Sequence, residues 1–251
     1  MNIQDRTALV TGANRGIGKA FAEELLDRGV KKVYAAVRDV STVADPRFVP
    51  IQLDVTHPAR VAAVARELDD VQVVVNNAGV LNVSTPLSAS LDTARVELET
   101  NYLSLVSMTQ AFAPVLERNG GGAFVNMLSV FSWVATPLLT TYSASKAAAW
   151  SFTNAARIEL GRQGTHVVGV LVGGVDTEMT AAFDVDNLAP AAVAASALDA
   201  LEAGEPEAVV DDYSRAVKAG LGDDQGVLYP EIERQFLALT GATTTATGSD
   251  R

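Results

Sequence analysis

The segment from Thr7 to Leu26, TALVTGANRGIGKAFAEELL, leaves this chain few folds to choose from. An apolar β-type run ends at Thr11, and glycines follow at positions 12, 16 and 18. An amphipathic helical stretch then takes over, its apolar stripe formed by Ile17, Ala20, Phe21, Leu25 and Leu26. A buried strand that enters a glycine turn and leaves as a helix is the first half of a βαβ unit. Glycines in that turn let the backbone approach a pyrophosphate, and the helix start offers free N–H groups and a positive dipole end. The spacing is G-x-x-x-G-x-G, which differs from the more familiar G-x-G-x-x-G.

The same alternation continues along the chain. β-rich runs at Thr7 to Val10, Lys32 to Val37, Phe48 to Leu53, Val71 to Val75, Ala123 to Met127 and His166 to Leu171 are mostly continuous apolar segments, as fully buried parallel strands require. Helical patterns fall between them, from Gly16 to Asp27, from Pro58 to about Leu68, from about Leu91 to Leu116 and from about Ser143 to Gly161. An Ala-rich helix from Pro190 to Ala203, a short strand around Ala208 to Val210 and two weaker helices complete the pattern. The order specifies an α/β fold, a Rossmann-like doubly wound parallel sheet in a single domain over residues 1–240. Residues 241–251 have no apolar periodicity and are expected to form a disordered tail.

Composition removes several chemistries. With no cysteine there are no disulfides, thiolate metal sites or cysteine nucleophiles. The two histidines, His57 and His166, lack ligand spacing, so no metal is expected. A formal net charge of −11 argues against nucleic acid as a partner. The N-terminus has no basic region followed by an apolar run, and no apolar stretch would span a bilayer, which leads to the expectation of a cytoplasmic protein with no membrane partner.

Five motifs stand in order: Thr11-Gly-Ala-Asn-Arg-Gly-Ile-Gly18, Leu53-Asp-Val55, Asn76-Asn-Ala-Gly79, Asn101 with Ser129, and Tyr142-Ser-Ala-Ser-Lys146. Together they make the chain resemble the short-chain dehydrogenase/reductase family, closely from Arg6 to Met179 and loosely beyond. The resemblance implies a nicotinamide cofactor held by Gly12, Asn14, Arg15, Gly16, Ile17 and Gly18, with Asp54 and Val55 at the adenine and Asn77, Ala78 and Gly79 in the turn beneath it. For Asn76 the resemblance implies equally a tie between neighbouring strands. Enzymes that prefer NAD carry an acid at the end of the second strand, where Val37 stands here. Arg15 and Arg38 occupy positions where they would flank a 2′-phosphate, so NADP(H) is the expected cofactor, although Asp39 is adjacent.

Tyr142 and Lys146 are four apart on a helical pattern and so share a face. A tyrosine with a pKa of about 10 needs nearby positive charge to reach neutrality, and Lys146 and the oxidised nicotinamide are expected to supply it. In the implied reaction Tyr142 exchanges a proton with a carbonyl or alcohol oxygen as hydride moves, Ser129 hydrogen-bonds that oxygen, and Asn101 holds a water linked to Lys146. Lys146 would also bind the nicotinamide ribose. Val175 and Thr177 are expected at the carboxamide, and Val172 stands where the family has proline, which removes a constraint on the segment.

Phe131, Trp133, Leu138, Leu139, Met179 and Phe183 follow the catalytic segments and would give an apolar substrate side. The expected substrate is a small to medium apolar aldehyde, ketone or alcohol. The family implies a homodimer or homotetramer through the two long central helices, where Ala147, Ala148, Ala149, Trp150 and Phe152 would serve either an interface or internal packing. Two other readings are open: a sensing protein that binds NADP(H) without turnover, and a related reaction such as epimerisation or dehydration.

Overall fold

The computed structural model describes residues 1–180 and 188–240. Seven strands form one parallel sheet: β1 (Thr7–Thr11), β2 (Lys32–Val37), β3 (Val49–Gln52), β4 (Val73–Asn76), β5 (Gly122–Met127), β6 (Thr165–Leu171) and β7 (Glu207–Val209). Their spatial order is β3-β2-β1-β4-β5-β6-β7, so the progression reverses between β1 and β4. That reversal opens a crevice at the carboxyl ends of the strands, where a sheet of this kind binds ligands. The Rossmann-like doubly wound architecture expected from the sequence is therefore the one observed.

Strand side chains alternate between the two faces, and each face is covered by helices. In β1, Ala8 and Val10 pack with Phe21 and Leu25 of α1 (Gly16–Asp27) and Leu198 and Leu201 of α6 (Pro190–Ala203). Leu9 between them faces the opposite core, with Val61 and Val64 of α2 (Pro58–Glu67) and Phe112 and Leu116 of α4 (Ser104–Arg118). Burying each of these large side chains contributes about 2 kcal/mol. The third strand is shorter than expected and mostly exposed. Pro50 pairs with Ala35 there, which a rim strand tolerates because the missing N–H faces no further neighbour.

The helix expected from Leu91 to Leu116 is not continuous. It consists of α3 (Leu91–Leu98), one π turn at Glu99–Leu103, and α4, which runs on past Pro114. Asn101 sits in the π turn and binds the Val80 backbone with both ends of its amide: Val80 N–H donates to Oδ1 at 2.8 Å and Nδ2 donates to Val80 O at 2.9 Å. Hydrophobic periodicity does not register a one-turn widening of this kind, which is common at functional sites. α5 (Thr140–Leu160) begins one turn before the expected Ser143, whose N–H bonds to Leu139 O at 2.8 Å. The last elements are α7 (Asp212–Gly220) and α8 (Tyr229–Thr240). The tail expected at 241–251 and the expected pocket residue Phe183 lie outside the described residues.

Candidate active site

The glycine loop leaves β1 through Gly12 at φ 66°. Gly18, inside the first turn of α1, has no room for a side chain: a Cβ there would lie 2.2 Å from Gly12 O and 2.5 Å from Asn77 Nδ2. This contact pins the helix start against the loop, which brings the N–H end of α1 to the crevice. Thr11 Oγ1 accepts from the N–H groups of Asn77 and Ala78 at 2.9 and 3.0 Å, while Asn77 Nδ2 donates to Thr11 O at 2.9 Å. The ends of β1 and β4 are thereby joined. Asn14 and Ile17 are half-buried in the loop, and a Cβ on Gly16 would stand 3.3 Å from Thr177 Cγ2. Asn76 turns away and donates to Asn126 Oδ1 at 2.9 Å, and Asn126 in turn donates to Thr153 at 3.1 Å. That is the strand-tying arrangement.

At the end of β2, Val37 is buried and Arg38 is exposed. Asp54, at the end of β3 and next to buried Val55, would be raised by its own burial, but Thr56 donates both hydroxyl and backbone N–H to it. With the charges of His57 and Arg38 added, its carboxyl is held below the usual range. Arg15 reaches across the crevice to Glu178, both side chains being largely exposed. Sequence reasoning passed over Glu178, since only proximity in space pairs it with Arg15.

Tyr142, Lys146, Ser129 and Asn101 converge at the carboxyl ends of β4 and β5, and all four are buried. Lys146 Nζ stands 5.8 Å from the Tyr142 ring centroid and donates to Met127 O at 2.8 Å. Gly79 lies between Asn101 and Lys146, where a Cβ would be 3.1 Å from Asn101 Oδ1 and 3.7 Å from Lys146 Nζ. Asn101 Nδ2 also donates to Ser145 Oγ at 2.9 Å, and Ser145 donates to Tyr142 O at 2.7 Å, which couples the π turn to α5. Ser129 and Ser132 cap each other: Phe131 N–H donates to Ser129 Oγ and Ser129 N–H donates to Ser132 Oγ, each at 3.2 Å. Ser132 is thus engaged with backbone. A cavity of about 10 Å³ lies beside Asn101, Asn76, Asn126 and Met127, room for about one water.

Burial pushes Tyr142 up to about 12, offset in part by the Ser129 hydroxyl and reinforced by the charge of Glu97. Burial likewise brings Lys146 down to about 8, so a dry site disfavours both charged forms.

Around these four residues, Val172 is buried and its carbonyl accepts from Val130 N–H at 3.0 Å, so the segment is held even without a proline. Val175 is buried, and Thr177 lies beside Thr180 and over Gly16. Asp211, which the sequence reading passed over, accepts from Gly173 N–H at 2.7 Å while capping α7. Phe131, Trp133, Leu228 and Tyr229 are partly buried against the cluster of Val130, Val134, Val217 and Ile232, and Leu139 is buried, whereas Met179 is 43% exposed. Ala149 is buried in a cluster with Leu105, Leu128 and Leu171, against which half-buried Trp150 and Phe152 pack. Glu97 was also missed; it is fully buried and accepts from Asn82 N–H at 2.7 Å. Its signal was a charged residue on the buried stripe, one helical turn before Asn101.

Residues 6–187 match the short chain dehydrogenase family. This chain is a short-chain dehydrogenase. The dehydrogenase is 30% identical over 193 residues to a 3-oxoacyl-[acyl-carrier-protein] reductase of Vibrio cholerae, covering 73% of this chain and 79% of that one. It is 32% identical over 188 residues to a sorbitol dehydrogenase of Cereibacter sphaeroides, covering 71% and 73%. Among solved structures, a short chain dehydrogenase from Burkholderia cenocepacia in complex with NADP superposes with a TM-score of 0.88 at 38% identity, covering 92% of this chain and 99% of that one. No helix among the described residues is long and apolar enough to cross a membrane.

Proposed function

We propose that this dehydrogenase uses NADP(H) to interconvert a carbonyl and an alcohol on a small to medium apolar substrate, with Tyr142 as the proton donor and acceptor. The observation that carries the reading is the convergence of buried Tyr142, Lys146, Ser129 and Asn101 at the crevice beside the glycine loop. Other motifs make a dinucleotide fit: Gly18 leaves no side chain between α1 and Gly12, and buried Val37 offers no acid to a ribose. Gly12, Asn14, Arg15, Gly16, Ile17 and Gly18 would hold the phosphates, Arg38 and Arg15 the 2′-phosphate, and Asp54 and Val55 the adenine. Asn77, Ala78, Gly79, Val175 and Thr177 would line the nicotinamide side. The cofactor, when bound, supplies or accepts the hydride.

In reduction, the Tyr142 Oη proton passes to the carbonyl oxygen, which Ser129 Oγ steadies by hydrogen bonding. A raised phenol pKa suits this role, because the group stays neutral and ready to donate at ordinary pH. The Lys146 ammonium then stabilises the phenolate while a proton returns through a water held beside Asn101. The two relatives point to different substrates, an acyl thioester carrier and a polyol, so likeness does not choose between them. Phe131 and Trp133 favour an apolar group. Exposed Leu91, Val96 and Ile158 on α3 and α5 favour self-association as a dimer or tetramer, which light scattering would test.

Titration with NADPH and NADH, followed by a panel of apolar aldehydes and ketones read by loss of reduced-nicotinamide absorbance, tests the proposal. The expected result is tighter NADPH binding and consumption on some members. Tight binding with no consumption in either direction would favour a sensing role.

A further inference from the structure

The stretch Val172-Gly173-Gly174 follows β6 with no proline and two glycines, a backbone with little stiffness of its own. It nevertheless leads from the catalytic serine to the residues that would meet the cofactor. Val172 O accepts from Val130 N–H at 3.0 Å and from Ser129 Oγ at 3.5 Å, and Val175 and Thr177 follow directly. On the far side Leu188 N–H donates to Gly174 O at 3.1 Å, and Asp176 N–H donates to Leu188 O at 2.9 Å. Gly173 lies between these two sets of ties.

The hold on Gly173 comes from 38 residues further along the chain: its N–H donates to Asp211 Oδ2 at 2.7 Å. Asp211 is the N-cap of α7, and capping occupies only its other oxygen, Oδ1, which accepts from Ser214 N–H at 2.7 Å. The Ser214 hydroxyl donates to Oδ2 at 2.8 Å, and Ser214 is fully buried, so the carboxylate is fixed in angle as well as in place. Tyr213 lies against the same backbone, since a Cβ on Gly173 would stand 3.3 Å from its Cδ1 and 3.5 Å from Asp211 Oδ1. A cap needs one acceptor, which serine supplies equally well. The second oxygen is what aspartate adds.

We propose that Asp211 is a positioning residue for the nicotinamide half of the cofactor: Oδ2 holds Gly173, and with it the backbone from Val172 to Val175, in place before the cofactor binds. The cost of ordering two glycines then does not fall on binding. This role rests on the placement of Val175 and Thr177 at the nicotinamide side proposed above. Asp211 acts through Gly173 and needs no contact with cofactor or substrate. A carboxylate bond to a backbone N–H is charge-assisted and stronger than a neutral pair, so a single one restrains the stretch. The adenosine half falls to Arg38, Asp54 and Val55 after β2 and β3, whereas Asp211 follows β7 at the opposite edge of the sheet.

The test compares NADPH with adenosine 2′,5′-bisphosphate, which has the 2′-phosphate but no nicotinamide, in calorimetric titrations of the parent, Asp211→Ser and Ser214→Ala. Serine at position 211 still caps α7, but its single oxygen, one bond shorter, leaves Gly173 unheld. Asp211→Ser should weaken NADPH by about tenfold, the size of one hydrogen bond to a charged group, and leave the bisphosphate within about twofold. Ser214→Ala removes a support of α7 and keeps the Gly173 bond, so it should lower the thermal midpoint while NADPH stays within about twofold. Equal loss of both ligands in Asp211→Ser, or unmoved NADPH, overturns the positioning role, as does an equal NADPH loss in Ser214→Ala. Should Asp211→Ser fail to fold, Asp211→Asn, another good cap whose amide sets a donor against Gly173 N–H, reads the same comparison. No carbonyl substrate enters these titrations. A parent protein that binds neither ligand would sink the NADP(H) reading itself, and this role with it.

Discussion

At the β1 end of the crevice the chain is shaped by its backbone. Gly12 takes a positive φ, Gly18 abuts the Gly12 carbonyl, and the contacts among Thr11, Asn77 and Ala78 are largely to main-chain groups. At the β5 end the shape comes from side chains drawn from distant segments. Tyr142 and Lys146 come from α5, Ser129 from the turn after β5, Asn101 from a π turn, and Asp211 from the cap of α7. Backbone construction is intolerant of any added atom but indifferent to charge. Side-chain construction tolerates atoms and depends on protonation. The two ends should therefore fail in different ways.

The largest effect should come from Tyr142→Phe, with turnover falling by about a thousandfold or more while NADPH binding, measured by fluorescence titration, stays nearly intact. Loss of both together would mean that the catalytic end is not separable from the cofactor end. Gly18→Ala should show the reverse pattern of damage. A Cβ at 2.2 Å from a backbone oxygen must displace the helix start, costing about 3 kcal/mol in denaturant unfolding and removing most cofactor affinity.

Lys146→Met tests charge in the dry end. The folded-state pKa of Lys146 lies at about 8 against its usual 10.5, so between these values the unfolded chain binds more protons and stability rises with pH. Below about pH 8 the native state carries the whole penalty. Lys146→Met should abolish turnover yet stabilise the cofactor-free protein by about 3 kcal/mol near pH 7, and the gain over the parent should shrink through the window from 8 to 10.5. A constant difference across that range would show that the ammonium is solvated.

Arg38→Asp should weaken NADPH by about tenfold to a hundredfold relative to NADH, and equal losses would show that the guanidinium does not read a phosphate. The smallest effect is at Glu178. Its pair with Arg15 is exposed, and such pairs are worth at most about 1 kcal/mol. Glu178→Gln frees Arg15 and should tighten NADPH, but not NADH, by no more than about fivefold in the same titration.

The same contrast explains what could be read before the structure. The alternation of strands and helices, α1 and the glycine loop follow from local rules, since a glycine that must turn or yield space is visible in the string itself. The register of Tyr142 and Lys146 is also local, being one helical turn. Glu97 and Asn82 are fifteen residues apart, and only the fold brings the carboxylate to the backbone N–H. Arg15 and Glu178 are more remote still. Protonation of the Tyr142 phenol depends on burial as well as on neighbouring charge, and burial is a property of the assembled site.

The π turn at Glu99–Leu103 has a consequence for how this chain tolerates insertions and deletions. A helix accommodates one extra residue by widening a turn, and losing that residue restores ordinary winding with a rotation of about 100° for everything on one side. Deleting Thr100 would therefore leave a smooth, well-formed helix, with either Glu97 or Asn101 swung off the turn that both now hold. Lineages that shorten this segment by one residue should keep the fold and lose the chemistry.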